Sequence, residues 1–374
     1  MQFIDLHKQF EQIEAEIRKG MDAVYEHKRF ILGPEVSSLE EELATYTGRK
    51  HVIACASGTD ALVLPLRAFQ LSVKDAVFVP SFTFFATAES VSLAGGTPVL
   101  VDVEENFFNI CPQSLESSIE KVLEKGELIP RGIIPVDLFG HPADFAEIER
   151  IAKKYNLFIL EDAAQGFGGE YVGKRAGSLG DVSATSFFPA KPLGCYGDGG
   201  ALFLDDDQMA ETIRSIHVHG QGKDRYDNVA IGLNSRLDTM QAVVLLEKMK
   251  IFPKEVEQRN WVAAEYTRRL KDYVKTPVVQ EGCISSWAQY TLQAENEEDR
   301  ESIIEGLKNK GIPVMIYYPI PIHLSTAYQG EEKYCDDFSV SERLSKTVFS
   351  LPMHPYLEKE NISTISNAII ETLK

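Results

Sequence analysis

From about residue 50 to residue 204, short runs rich in β-branched and aromatic residues alternate with longer segments of helical spacing, and this alternation limits the fold more than any other feature. The apolar runs are 52–56, 76–80, 98–103, 132–138, 157–161, 184–188 and 201–204. Between them, 59–69, 87–94, 113–124, 143–155 and 208–217 each place apolar residues along one helical face. Repeated strand–helix–strand units build a mostly parallel, mixed sheet flanked by helices, an α/β architecture.

Upstream, segments 6–26 and 35–47 have helical spacing and flank Phe30-Ile31-Leu32-Gly33-Pro34, which predicts an N-terminal helical arm. Downstream of Asn234, an amphipathic stretch over 237–270 leads into weaker apolar runs, helices at 298–310, 339–348 and 361–372, and proline-rich turns such as Tyr317-Tyr318-Pro319-Ile320-Pro321. That change of texture predicts an arm over 1–30, a large domain over 31–250 and a smaller C-terminal α+β domain over 251–374.

The charge balance narrows the partners. Asp and Glu number 56 against 38 Lys and Arg, a net charge of −18, with both signs interspersed. Such a surface repels nucleic acid and anionic membranes, so an anionic ligand must be held by local devices such as helix N-termini. The five cysteines are scattered without metal-type spacing, so neither a disulfide framework nor a metal site is expected, and a reducing, cytoplasmic setting follows. The first residues lack an apolar h-region, and the most apolar long stretch, 81–103, is interrupted by Glu89, Gly95, Gly96 and Asp102, so neither a signal peptide nor a membrane span is expected.

Four local constellations carry chemistry. In Ala56-Ser57-Gly58-Thr59-Asp60-Ala61-Leu62 a strand runs into small residues that open a helix; free N–H groups there suit a phosphate, or serve an ordinary N-cap. In Ile159-Leu160-Glu161-Asp162-Ala163-Ala164-Gln165 a strand ends in carboxylates where α/β sheets bind ligands, so Asp162 suits a protonated ring nitrogen or, equally, a cap. Lys191, between Pro189 and Pro192 in Ser186-Phe187-Phe188-Pro189-Ala190-Lys191-Pro192-Leu193-Gly194, is a loop lysine or, if desolvated, a Schiff-base lysine. Asn234 and Arg236, just before the long helix, offer an amide and a guanidinium for phosphate or carboxylate, or a capped start with a solvated arginine.

In order and spacing these segments, with Phe3-Ile4-Asp5-Leu6, Pro80-Ser81-Phe82-Thr83-Phe84 and Leu351-Pro352-Met353-His354-Pro355-Tyr356, resemble the DegT/DnrJ/EryC1/StrS family of sugar aminotransferases, which are fold-type I enzymes dependent on pyridoxal 5′-phosphate (PLP). The resemblance implies that Lys191 carries PLP and shuttles the proton, that Asp162 pairs with the pyridine nitrogen, and that Gln165 approaches the ring hydroxyl. It also implies that Phe84 stacks on the ring, and that Gly58, Thr59 and Ser186 hold the phosphate. Asn234 would reach the phosphate of a neighbouring subunit's cofactor, implying a homodimer with shared sites. The expected reaction is ping-pong transamination from L-glutamate through the pyridoxamine form to a nucleotide-linked keto-sugar, in bacterial amino-sugar or surface-polysaccharide biosynthesis.

The wording around Lys191 and over 351–357 is most similar to enzymes that aminate C3 of a UDP-linked 2-acetamido-3-keto-uronic acid. For such a sugar, Arg236, Tyr317, Tyr318 and His323 are the candidate contacts; Tyr317 stands where many family members have histidine, as a contact or as packing. The alternatives are a PLP enzyme that eliminates from the sugar and a non-catalytic nucleotide-sugar binding module.

Overall fold

The computed structural model describes residues 1–374 except 225 and 331–333. Helices α1 (Leu6–His27) and α2 (Pro34–Thr47) lead into β1 (His51–Cys55), α3 (Gly58–Ala68), β2 (Asp75–Pro80), α4 (Ala86–Leu93), β3 (Thr97–Val101), α5 (Pro112–Lys125) and β4 (Ile129–Ile133). Then come α6 (Phe145–Tyr155), β5 (Phe158–Asp162), the short strands β6 (Glu170–Tyr171) and β7 (Lys174–Arg175), β8 (Val182–Ser186), β9 (Gly200–Leu204) and α7 (Asp207–Ile216). Helix α8 (Thr239–Leu270) carries the chain to β10 (Cys283–Ile284), β11 (Tyr290–Gln293), α9 (Glu297–Asn309), α10 (Ser339–Thr347), β12 (Val348–Leu351) and α11 (Lys359–Thr372).

Seven strands form one sheet in the order β1-β9-β8-β5-β4-β2-β3. The pairs β2–β3, β2–β4, β4–β5 and β5–β8 are parallel, and β9 lies antiparallel to both β8 and β1. Strands β1, β2, β5 and β8 therefore all end on the same edge. This is the edge at which open α/β sheets bind ligands.

Strand β4 begins earlier than the apolar run at 132–138 suggests. A Cβ on Gly132 would lie 2.2 Å from the Phe158 ring, so the missing side chain lets β5 pack closely at that point. Beyond Ile133 the chain stays alongside β5, with a parallel bridge between Val136 and Asp162, and then turns at Leu138–Gly140, with Phe139 in the left-handed region (φ 60°).

A separate core lies beyond residue 260. There Tyr266, Tyr290, Leu292, Ile303, Phe349, Leu351 and Ile365 pack together around the β11–β12 pair. Helix α8 joins this core to the sheet core: Ala242, Leu245 and Phe252 pack with the residues around β1 and β9, whereas Val262, Ala263, Tyr266 and Leu270 belong to the C-terminal core. The N-terminal arm lies along α8 through Ile13, Ile17 and Val244, and the Met353 N–H donates to the Phe3 carbonyl at 3.1 Å. Among the described residues no helix is long and apolar enough to cross a membrane, and no cluster of His, Cys, Asp and Glu could hold a metal ion. The five cysteines are unpaired.

Two buried histidines couple this packing to pH. Burial depresses both His141 and His354 to about 4, the latter with help from the Arg259 cation. Each binds its proton more weakly folded than unfolded, where the value is about 6.5, so each contributes stability above that value that is lost as pH falls toward 4. We expect the urea midpoint to drop across this window, with each histidine contributing about 1.4 kcal/mol per pH unit. The double variant His141→Gln, His354→Gln should show a flatter profile between the same limits. An unchanged slope in that variant would assign the acid loss to other groups.

Candidate active site

A cavity of about 430 Å³ opens at the edge where β1, β2, β5 and β8 end, and its floor is built from the residues that follow those strands. At the end of β1, Ser57 caps α3, its Oγ accepting from the Asp60 N–H at 3.1 Å. The N–H groups of Gly58 and Thr59 then have no partner among the described residues and lie at the cavity wall. Ser186, the last residue of β8, closes the other side of this pocket. A Cβ on Gly58 would lie 2.5 Å from the Ser186 Cβ, so a side chain there would fill the space between the helix start and the strand end. Unpaired N–H groups at a helix N-terminus beside a hydroxyl make a phosphate cradle.

Asp162 ends β5 in the middle of the sheet and is buried. Its Oδ2 accepts from the Thr87 hydroxyl at 3.0 Å and its Oδ1 from the Ala164 N–H at 3.2 Å. Burial pushes its carboxyl above the usual range, opposed by the Ala164 N–H, the Lys191 cation and the Thr87 hydroxyl. A carboxylate held dry is stabilised by a further cation, as a protonated ring nitrogen would provide.

Lys191 reaches the cavity from the loop after β8, which is closed by the Cys195 N–H donating to the Phe187 carbonyl and the Lys191 N–H to the Phe188 carbonyl, both at 2.8 Å. Lys248, from α8, braces the same loop by donating from Nζ to the Gly194 carbonyl at 2.6 Å. Burial lowers the Lys191 amine below the ordinary lysine range against the opposing charge of Asp162. A phosphate cradle, a buried carboxylate and a desolvated lysine around one cavity fit pyridoxal phosphate.

The remaining expected residues divide. Gln165 is buried; its Oε1 accepts from the Phe139 N–H at 2.8 Å and its Nε2 donates to the Tyr318 hydroxyl at 3.1 Å. Phe84 is 57% exposed at the cavity wall, its ring centroid 6.2 Å from that of Tyr318. Tyr317 also lines the cavity and packs edge-on against Phe3 and Tyr318. His323 does not line it: its Nδ1 lies 2.6 Å from the Ser81 hydroxyl, its Nε2 3.2 Å from Glu342, and its ring stacks on Phe338 at 4.1 Å.

Asn234 and Arg236 lie outside this protomer's cavity lining, on a segment pinned by the Ser235 N–H to the His217 carbonyl and by the Ala56 N–H to the Ser235 hydroxyl. Asn234 is exposed, and the buried Arg236 Nε has no partner among the described residues. Sequence reasoning missed Thr87, because a threonine near a helix start gives no sign of the carboxylate it will meet, and it missed Gln289, which also lines the cavity.

The family model described as the DegT/DnrJ/EryC1/StrS aminotransferase family matches residues 11–370. The chain is 45% identical over 372 residues to the UDP-2-acetamido-2-deoxy-3-oxo-D-glucuronate aminotransferase of Pseudomonas aeruginosa, covering 99% of both chains. It is 41% identical to a pleiotropic regulatory protein of Geobacillus stearothermophilus, over 98% of this chain and 97% of that one. Among solved structures, a DegT DnrJ EryC1 StrS aminotransferase from Brucella abortus superposes with TM-score 0.97 at 48% identity, covering 100% of this chain and 99% of that chain. NtdA from Bacillus subtilis, solved with bound PMP, superposes with TM-score 0.86 at 27% identity, over 99% of this chain and 83% of that chain.

The cradle gives a direct test. Gly58→Ala places a methyl against Ser186, and overpacking of that kind should weaken binding of a phosphorylated ligand by about ten- to a hundredfold. Titration with PLP, against pyridoxal lacking the phosphate, checks this; an equal loss for both would place the phosphate elsewhere.

Proposed function

The chain belongs to the DegT/DnrJ/EryC1/StrS aminotransferase family, and on that premise we propose that it uses PLP on Lys191 to pass an amino group from L-glutamate to the ketone of a UDP-linked sugar. The acceptor class we infer is a 2-acetamido-3-keto-uronate, supported by the name and full-length similarity of the Pseudomonas relative. The observation that carries the reading is the single cavity in which the Gly58–Ser186 cradle, Asp162 and Lys191 meet.

When bound, PLP supplies an electron sink for a carbon that bears an amine. Gly58, Thr59 and Ser186 would hold its phosphate, and Phe84 and Gln165 would contact its ring. Asp162 would keep its nitrogen protonated, with Thr87 and Ala164 fixing the carboxylate. Because burial lowers the Lys191 amine, its Nζ is neutral at a lower pH than a solvated lysine's and can take a proton from the reacting carbon and return it. The two half-reactions share this one base. Tyr317, Tyr318 and Arg236 are the proposed sugar contacts, with His323 reaching the sugar only through rearrangement of its bonds to Ser81 and Glu342.

The reading includes a homodimer in which Asn234 and Arg236 of one subunit complete the partner's site, and a cytoplasmic setting. In support, Asn234 is exposed beside apolar Val229 and Ile231, which are 65% and 87% exposed and would be covered by a second copy. A purely regulatory role, as the name of the Geobacillus relative suggests, would make no use of a desolvated lysine beside a buried carboxylate.

Lys191→Ala should leave thermal stability near that of the parent and abolish amino transfer, followed by mass spectrometry of the sugar and by loss of the visible cofactor band on adding L-glutamate. Substantial turnover in the variant would sink the proposal. Sugar conversion without glutamate consumption would point to elimination.

A further inference from the structure

The segment carrying Gln289 is fixed to the floor of the cavity. The Ser286 N–H donates to the Gly140 carbonyl at 3.0 Å, the Ser286 hydroxyl to the Gln165 carbonyl at 2.6 Å, and the Gln289 N–H to the Phe139 carbonyl at 3.3 Å. Gly140, in the left-handed region at φ 103°, permits this approach; a Cβ there would lie 2.5 Å from the Ser286 Oγ and 2.6 Å from the Trp287 nitrogen. The backbone of Gln289 is thus held through Phe139 and Gln165 next to Tyr318.

Its side chain is treated differently. The Gln289 carboxamide lines the cavity with Tyr317 and Tyr318 and makes no hydrogen bond to any described residue. The Oε1 atom is enclosed without a donor in reach, which leaves Nε2 as the accessible end. With Oε1 enclosed, the Nε2 donor is the end that a ligand acceptor can meet, and the rigid backbone fixes where that acceptor must lie. Apart from Asn234, proposed to reach the cofactor of the other subunit, the residues proposed for the cofactor all precede residue 192, so none of them lies on the wall contributed by residues after 283, which carries Gln289.

We infer that Gln289 is a specificity residue for the acceptor sugar, its Nε2 donating to an oxygen on a substituent of the sugar ring. This rests on the sugar-nucleotide reading of the site. The oxygen belongs to a hydroxyl, to the acetamido group or to a carboxylate. An amide donor suits each, and a site built to bond such a group discriminates strongly against ligands lacking it.

Calorimetry on the PLP-loaded protein separates these cases, with UDP, UDP-N-acetylglucosamine and its uronic acid as probes and Gln289→Leu as the variant. The variant should retain the parent's visible band and its half-reaction with L-glutamate. Its Kd for the uronic acid should rise by on the order of tenfold, while that for UDP changes by less than about twofold. A matching rise for UDP-N-acetylglucosamine assigns a hydroxyl or acetamido oxygen shared by the two sugars, and a rise for the uronic acid alone assigns the carboxylate. Equal shifts for all three probes, or none, overturn the inference. If the parent protein binds no sugar nucleotide more tightly than UDP and aminates none of the keto-sugars, the sugar-nucleotide reading itself fails, and this inference with it.

Discussion

Everything at the cavity is arranged around one carboxylate kept away from water. Asp162 stands at the end of the sheet's central strand, where burial penalises its charge, and the surrounding elements supply what offsets that penalty: a hydroxyl from α4, an N–H two residues on, and the Lys191 cation. The same desolvation acts on Lys191 in the opposite sense, and each group is the other's opposing charge. Neither would be perturbed in this way on a solvated loop. The parallel sheet makes the pairing feasible, because it brings the ends of β5 and β8 to one edge.

Where burial is continuous, the fold is legible in the sequence. All seven strands of the large sheet overlap an apolar run, because a parallel sheet covered on both faces buries most of each strand. The C-terminal sheet was not legible. Tyr290-Thr291-Leu292-Gln293 alternates apolar and polar residues over only four positions, the pattern of a half-exposed strand, yet it is buried along its whole length, with Thr291 satisfying its hydroxyl against Ser350 across the pair. Val348 continues the apolar spacing of α10, and only its pairing with Gln293, far away in sequence, makes it the start of β12.

For the site, sequence motifs mark residues that need a special backbone and miss residues that act through their surroundings. Gly58 and Lys191 sit in glycine- and proline-punctuated turns whose oddity is visible in the chain. Thr87 and Gln289 lie in stretches with no punctuation, and their meaning depends on which side chains the fold brings opposite them. His323 shows the converse. The resemblance makes it a candidate sugar contact, yet Ser81, Glu342 and Phe338 surround it once the C-terminal region folds back over β2.

Helix α8 is shared by both cores, so the cavity floor and the wall bearing Gln289 are joined by a continuous rod. That rod has a proline at 253, between its fully buried contact with the sheet core at Phe252 and its first with the C-terminal core at Val262. A proline has no N–H to give to the carbonyl four residues earlier, that of Met249, so the helix is missing a rung there. Any rocking of one core against the other would concentrate its bending at this joint, setting how far the mouth of the cavity can widen to admit a ligand as long as a sugar nucleotide.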